Sequence, residues 1–166
     1  VAQLRGHRIT LYEKTDKLGG HLIEACVPDF KDDEKRLLKW YENEMKALNI
    51  NVKFNTEVTL DMIKSENPNA LIIATGSNPV TLNIPGINMG NVTGAGDLLL
   101  GKKTVGESVA VIGGGLVGCE TALWLAKRHK KVTIIEALGN LLSAGRPVPH
   151  SNKIMLIDLL KFYKVD

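Results

Sequence analysis

Six residues, Gly113-Gly114-Gly115-Leu116-Val117-Gly118, limit what this chain can fold into more than any others. They fit G-x-G-x-x-G, and their flanks give the pattern meaning. Val109 to Ile112 before them form an apolar run suited to a buried parallel strand, and a helix must begin where the glycines end. Each named glycine is expected to do a separate job: Gly113 permits the tight turn out of the strand, Gly115 leaves room for a pyrophosphate, and Gly118 lets the helix sit close to the sheet. An anion there would meet the unpaired amides of the first helical turn and the positive end of the helix dipole. Cys119, Ala122, Leu123 and Ala126 recur at helical spacing and form one small apolar face. Lys127 to Lys131 put positive charge at the helix C-terminus, and Val132 to Ile135 read as the next strand. Glu136 ends that strand 18 residues beyond Gly118, near the ~20-residue offset at which an acid meets an adenosine ribose. A glycine pattern alone is weak evidence. Framed by strand, helix and acid-tipped strand, it specifies a dinucleotide site.

The rest of the composition removes other classes. With 44% hydrophobic and 23% charged residues, the 166-residue chain can build a core. No apolar run approaches the ~20 residues of a membrane span, and the N-terminus has no signal-peptide pattern, so a cytoplasmic location is expected. The two cysteines, Cys26 and Cys119, and the four histidines show no metal-ligand spacing, so no metal site is expected. A net charge of +3 and few aromatics give no case for nucleic acid.

The first residues echo the organising stretch. Ala2–Glu13 and Leu125–Glu136 align at a constant offset of 123, matching Arg5 with Arg128, Thr10 with Thr133 and Glu13 with Glu136. A second nucleotide-binding unit is therefore expected, whose glycine turn would fall before residue 1, with Val1 to Leu4 as the tail of its first helix. Lys164 to Asp166 read as the start of another strand. The expected fold class is α/β with two Rossmann-like dinucleotide-binding units, each incomplete within these residues.

Between these landmarks, Gly19-Gly20 marks a turn where backbone can approach a bound group. His21 reads as a hydrogen-bonded turn residue and Cys26 as a small packing residue. Asp32 to Asn49 reads as a surface helix with Leu38, Tyr41, Met45 and Leu48 on one stripe and Trp40 in packing. Asn51 to Phe54 alternate as a strand, Asp61 to Glu66 suit a short helix, and Asn67-Pro68-Asn69 ends it. Ala70 to Ala74 read as a short buried strand leading into Thr75-Gly76. The glycine-rich stretch beyond Ile84 reads as a crossover, Asp97 to Leu100 as one helical turn, Gly139 to His150 as a loop, and Asn152 to Phe162 as a helix.

This order of signals resembles the paired dinucleotide-binding region of the pyridine-nucleotide flavoprotein reductases: an acid-tipped strand, Lys17-Leu18-Gly19-Gly20, Leu71-Ile72-Ile73-Ala74-Thr75-Gly76, Ile84-Pro85-Gly86, then the glycine turn. More narrowly, KTDKLGGHLIEACVPDFK and GGGLVGCETALWLA are similar to the C-terminal part of 2-enoate reductase, 2,4-dienoyl-CoA reductase and trimethylamine dehydrogenase. The resemblance implies that Glu13, Gly19, Gly20, Thr75 and Gly76 serve FAD and that Gly113, Gly115, Gly118 and Glu136 serve NAD(H). It divides the chain into a partial FAD-binding domain with crossover, residues 1–103, and a partial NAD(H)-binding domain, residues 104–166. It further implies hydride transfer from NADH to FAD and reduction of an activated C=C bond, with FMN and an iron–sulfur cluster in an N-terminal barrel outside these residues. No side chain is assigned a catalytic role. Two alternatives share the nucleotide sites: a dithiol-disulfide reductase, which needs a cysteine pair beside the flavin where Cys26 stands alone, and a nucleotide-binding module without electron transfer.

Since the glycine turn of an FAD site is not among these 166 residues, the chain expressed by itself is expected to purify colourless. Absorbance after gel filtration checks this; a stable flavin spectrum near one equivalent would contradict it.

Overall fold

A computed structural model describes residues 1–143 and 147–166, which form an α/β, Rossmann-like structure of two compact units. The first comprises Val1–Ile23 and Asp32–Thr81, the second Glu24–Lys31 and Leu82–Asp166. No helix among the described residues is long and apolar enough to cross a membrane.

The second unit is built on α5 (Leu116–Ala126), which follows β3 (Ser108–Ile112) and precedes β4 (Lys131–Ile135). The two strands pair in parallel, from Ser108 opposite Lys131 to Ile112 opposite Ile135. Antiparallel neighbours can be joined by a tight turn, but parallel ones need a crossover, and α5 supplies it. Cys119, Ala122, Leu123 and Ala126 are all buried, as are Thr121 and Leu125, so burial extends beyond the single face expected from the sequence. The reason is a second layer. α5 touches β3 and β4 and also α4 (Ala95–Leu99) and α6 (His150–Phe162), whose Leu98, Leu156 and Leu160 join the same core.

α5 ends in Lys127-Arg128-His129, with His129 in the left-handed region at φ +64°, after which the chain enters β4. The basic groups are held locally. Lys127 Nζ lies 2.6 Å from Asp29 Oδ2, Arg128 stacks on the Trp124 ring, and Lys130 Nζ lies 2.7 Å from Glu107 Oε1. At the chain's end Asp166 N donates to Val132 O and Asp166 O accepts from Ile134 N, so Asp166 lies alongside β4, although Lys164 to Asp166, expected to start a strand, form none.

The first unit repeats this connectivity with less material. A 3-10 turn (Gln3–Arg5) ends at Gly6 with φ +85°, 123 positions before His129, and leads into β1 (Thr10–Tyr12). Then come α1 (Leu22–Ala25), a turn of helix the sequence did not suggest, and α2 (Asp32–Ala47); α1 runs across the boundary between the units. β2 (Asn51–Lys53) follows and pairs with β1 in parallel, Thr10 opposite Asn51. α3 (Leu60–Glu66) is capped by Thr59, whose hydroxyl accepts from Met62 N, and stops at Asn67 in a left-handed conformation.

Two expectations are corrected in this unit. Residues 70–74 form no strand: Leu71, Ile72 and Ile73 are exposed, Ile72 by 83%. A short apolar run becomes a strand only where a neighbour supplies a ladder, and among the described residues β1 and β2 pair only with each other. Trp40 does not pack inward; it is 53% exposed, edge-on to Tyr41, which is itself exposed. At 3.6 residues per turn it lies about 200° around the helix from the half-buried Leu38. Of the expected stripe, Leu38, Met45 and Leu48 are partly buried. Residues 144–146, within the loop expected from Gly139 to His150, lie outside the described residues.

Leu123, 1% exposed at the centre of the second unit, should therefore carry stability that Trp40 does not. Urea denaturation of Leu123→Ala should show a loss of about 2–5 kcal/mol, and Trp40→Ala a change within about 0.5 kcal/mol. Equal losses would contradict this placement of the core.

Candidate functional site

The strand β3 continues into the glycine turn without a break in its ladder: Gly113 N donates to Ile135 O at 2.9 Å. Gly113 then takes φ +104°, a conformation that glycine adopts without steric penalty. Gly115 is the N-cap of α5, in extended backbone, and no side chain caps the first turn. A Cβ on Gly115 would meet nothing within 4 Å, whereas one on Gly118 would overlap the Gly113 carbonyl. The three glycines thus differ physically: one turns the chain, one borders open space, and one allows the helix to pass against the turn's own carbonyl. Leu116 and Val117, at the mouth of the turn, are exposed.

Glu136 reaches back over this turn from the end of β4. Its Oε2 accepts from Gly114 N at 2.6 Å and its Oε1 from Leu138 N at 2.8 Å. The Leu138 and then the Gly114 amide hold the carboxyl below the usual carboxylate range, so it is charged at neutral pH. Gly114 O accepts from Leu142 N at 2.8 Å and from Cys119 Sγ at 3.3 Å. Burial first, then Glu136 and Glu120, push the Cys119 thiol up to about 11, which keeps it protonated. Gly113, Gly115, Gly118 and Glu136 are therefore gathered around one turn of the second unit.

In the first unit Glu13 occupies the position equivalent to Glu136. Its Oε1 accepts from Thr15 N at 2.8 Å, two residues on, as Glu136 Oε1 accepts from Leu138 N. Gly19 has φ +123°, and a Cβ there would press on Leu38 Cδ1 and Ile23 Cγ1; Gly20, at φ +49°, would meet nothing. His21 Nε2 lies 2.7 Å from Ser77 O, which ties the Gly19-Gly20 turn to the stretch holding Thr75 and Gly76. That agrees with reading His21 as a hydrogen-bonded turn residue. Gly76, at φ +76°, is open, and Thr75 is exposed.

Sequence reasoning passed over Gly114, Leu138, Leu141 and Leu142. The motif treats position 114 as unrestricted, and the only available signal was that this free position is also glycine. Nothing in Leu138-Gly139-Asn140-Leu141-Leu142 marked a loop that folds onto the turn.

The family model for pyridine nucleotide-disulphide oxidoreductases matches residues 2–161. The chain is 49% identical, over its whole length, to a cinnamate reductase of Clostridium sporogenes, and 40% identical over 152 residues to an NADH oxidase of Thermoanaerobacter brockii. It spans about a quarter of the length of these relatives, 25% and 23%. Among solved structures, a 2-naphthoyl-CoA reductase in complex with 2-naphthoyl-CoA superposes with a TM-score of 0.90 at 33% identity, covering 99% of this chain and 24% of that one. A reduced Bacillus anthracis CoADR-RHD shares the fold, with a TM-score of 0.67 at 19% identity over 99% of this chain and 34% of that one. By the extent of the family match, the chain belongs to the pyridine nucleotide-disulphide oxidoreductase family.

Proposed function

We propose that this chain is the dinucleotide-handling region of an NADH-dependent flavoprotein oxidoreductase, with NAD(H) held by residues 104–166 and FAD contacted by residues 1–103. The family implies NAD(H) and FAD as a class. The observation that carries the assignment of sites is the turn in which Gly115 borders open space, the first amides of α5 have no side-chain cap, and Glu136 stands over Gly114. The residues fit the group. Pyrophosphate oxygens can accept from the α5 amides, and a carboxylate has about four lone-pair sites, so Glu136 retains acceptor capacity beyond its backbone hydrogen bonds. For FAD, Glu13, Gly19, Gly20, Thr75 and Gly76 supply an acid at a strand end and two turns, with Gly20 and Gly76 unobstructed.

When bound, the nicotinamide supplies a hydride and the flavin accepts it. The chain's own contribution is to bind, orient and select, since the redox chemistry belongs to the cofactors. The names of the relatives support an activated C=C bond as the final acceptor: cinnamate is a 2-enoate and 2-naphthoyl-CoA an unsaturated acyl thioester. The FMN and iron–sulfur cluster implied by the resemblance would be held outside these residues. Dithiol-disulfide exchange is disfavoured, because Cys26 and Cys119 are both buried and the Cys119 thiol is held protonated.

Glu136 should make the protein prefer NADH to NADPH. Its carboxylate can accept from ribose hydroxyls and repels a 2′-phosphate; hydrogen bonds to a charged group contribute about 1.5–3 kcal/mol, or about tenfold to a hundredfold. The basic run does not offset this. Lys130 is paired with Glu107, and Lys131 begins β4, about 16 Å from Glu136 at ~3.3 Å per residue. Flavin reduction by each nucleotide in the protein as its gene encodes it, compared by kcat/KM with Glu136→Ala, checks the reading. Wild type should favour NADH and the variant should lose most of the ratio. Equal use of NADPH by wild type would refute the assignment, and nucleotide binding without flavin reduction would favour a non-catalytic module.

A further inference from the structure

Residues 70–81, which carry the Thr75-Gly76 turn, form neither helix nor strand. Among the described residues one hydrogen bond ties them to the rest of the first unit, the 2.7 Å contact of His21 Nε2 with Ser77 O. The two residues are 56 positions apart. A carbonyl only accepts, so the imidazole carries a proton on Nε2, as the charged ring and one neutral tautomer both do. His21 directly follows Gly19-Gly20, and Ser77 directly follows Thr75-Gly76, so a single side chain spans the two turns. Gly20 and Gly76, both with positive φ, have open space where a Cβ would stand.

We propose that His21 is a positioning residue for FAD, holding the Thr75-Gly76 turn beside the Gly19-Gly20 turn before the cofactor arrives. This rests on the reading that FAD is contacted by both turns. Backbone without a ladder partner samples many conformations, and a cofactor that had to order it would lose affinity to that ordering. The bond at Ser77 O limits this freedom in advance. It does so next to Gly76, whose φ of +76° marks the point where the chain is least restrained by its own side chains. Because His21 is exposed, its removal should disturb the fold little while leaving the second turn unheld.

The gene-encoded protein, stripped of flavin, would be titrated with FAD by calorimetry, and its melting temperature measured before FAD is added. The set is wild type, His21→Leu, His21→Gln, Thr75→Val, Glu13→Ala, and His21→Leu combined with each of the last two. Leucine has no donor, whereas the amide nitrogen of glutamine lies as many bonds from the backbone as Nε2 and can donate to Ser77 O. His21→Leu should weaken FAD binding about three- to tenfold, the loss of roughly one hydrogen bond, at an unchanged melting temperature, and His21→Gln should restore most of it. Since His21 acts through the second turn, its effect should shrink in the Thr75→Val background and persist in full with Glu13→Ala. If His21→Leu does not fold, His21→Ala takes its place. Unchanged affinity would overturn the proposal, as would a loss that only follows a fall in melting temperature, or His21→Gln binding as weakly as His21→Leu. An effect undiminished by Thr75→Val would put His21 in direct contact with the cofactor and overturn it too. If Thr75→Val or Glu13→Ala weakens FAD while His21→Leu does not, only the positioning role fails. If both bind FAD as wild type does, the FAD reading itself fails and the proposal falls with it.

Discussion

The approach of Gly118 to the carbonyl of Gly113 sets the geometry of the second unit. Because no Cβ fits between them, α5 can start directly over the end of β3, which brings its first amides to the mouth of the turn and its apolar residues onto the strands. Everything downstream inherits that angle. Leu123 and Leu125 reach the core, β4 pairs with β3 in parallel register, and Glu136 emerges at the same end of the strands as the glycines. A larger residue at 118 would tilt or shift the helix and so move the first amides of α5 and the acid relative to each other.

Much of the second unit was readable because its signals are local and redundant. The glycine spacing, the small-residue face of α5 and the acid at the end of β4 each follow from steric or hydrogen-bonding needs within about thirty residues. Gly114 was not readable, since its constraint comes from Leu141 and Glu136, more than twenty positions away. The burial of Thr121 and Leu125 was hidden for the same reason: a helix covered on a second side by α4 and α6 has no single polar stripe to betray it. Residues 70–74 show the reverse error, where a run of the right composition does not make a strand without a paired neighbour.

The internal repeat survives at the level of geometry better than at the level of identity. Gly6 and His129 both take positive φ, and Glu13 and Glu136 each accept from an amide two residues on, although few residues match between the stretches. Packing has diverged more. No described residue of the first unit is fully buried, while the second carries a continuous apolar cluster. An acid fixed by its own following turn is thus the shared device, and it needs no large core to work.

The central claim is that the turn at Gly113–Gly118 holds the pyrophosphate of a dinucleotide and the acid at 136 the adenosine ribose next to it. The most direct test is a crystal structure of the gene-encoded protein with NADH bound. The account predicts pyrophosphate oxygens against the first amides of α5 beside Gly115, and adenosine ribose hydroxyls within hydrogen-bonding distance of the Glu136 carboxylate. NADH seated elsewhere, or bound at the turn with its ribose pointing away from Glu136, would contradict it.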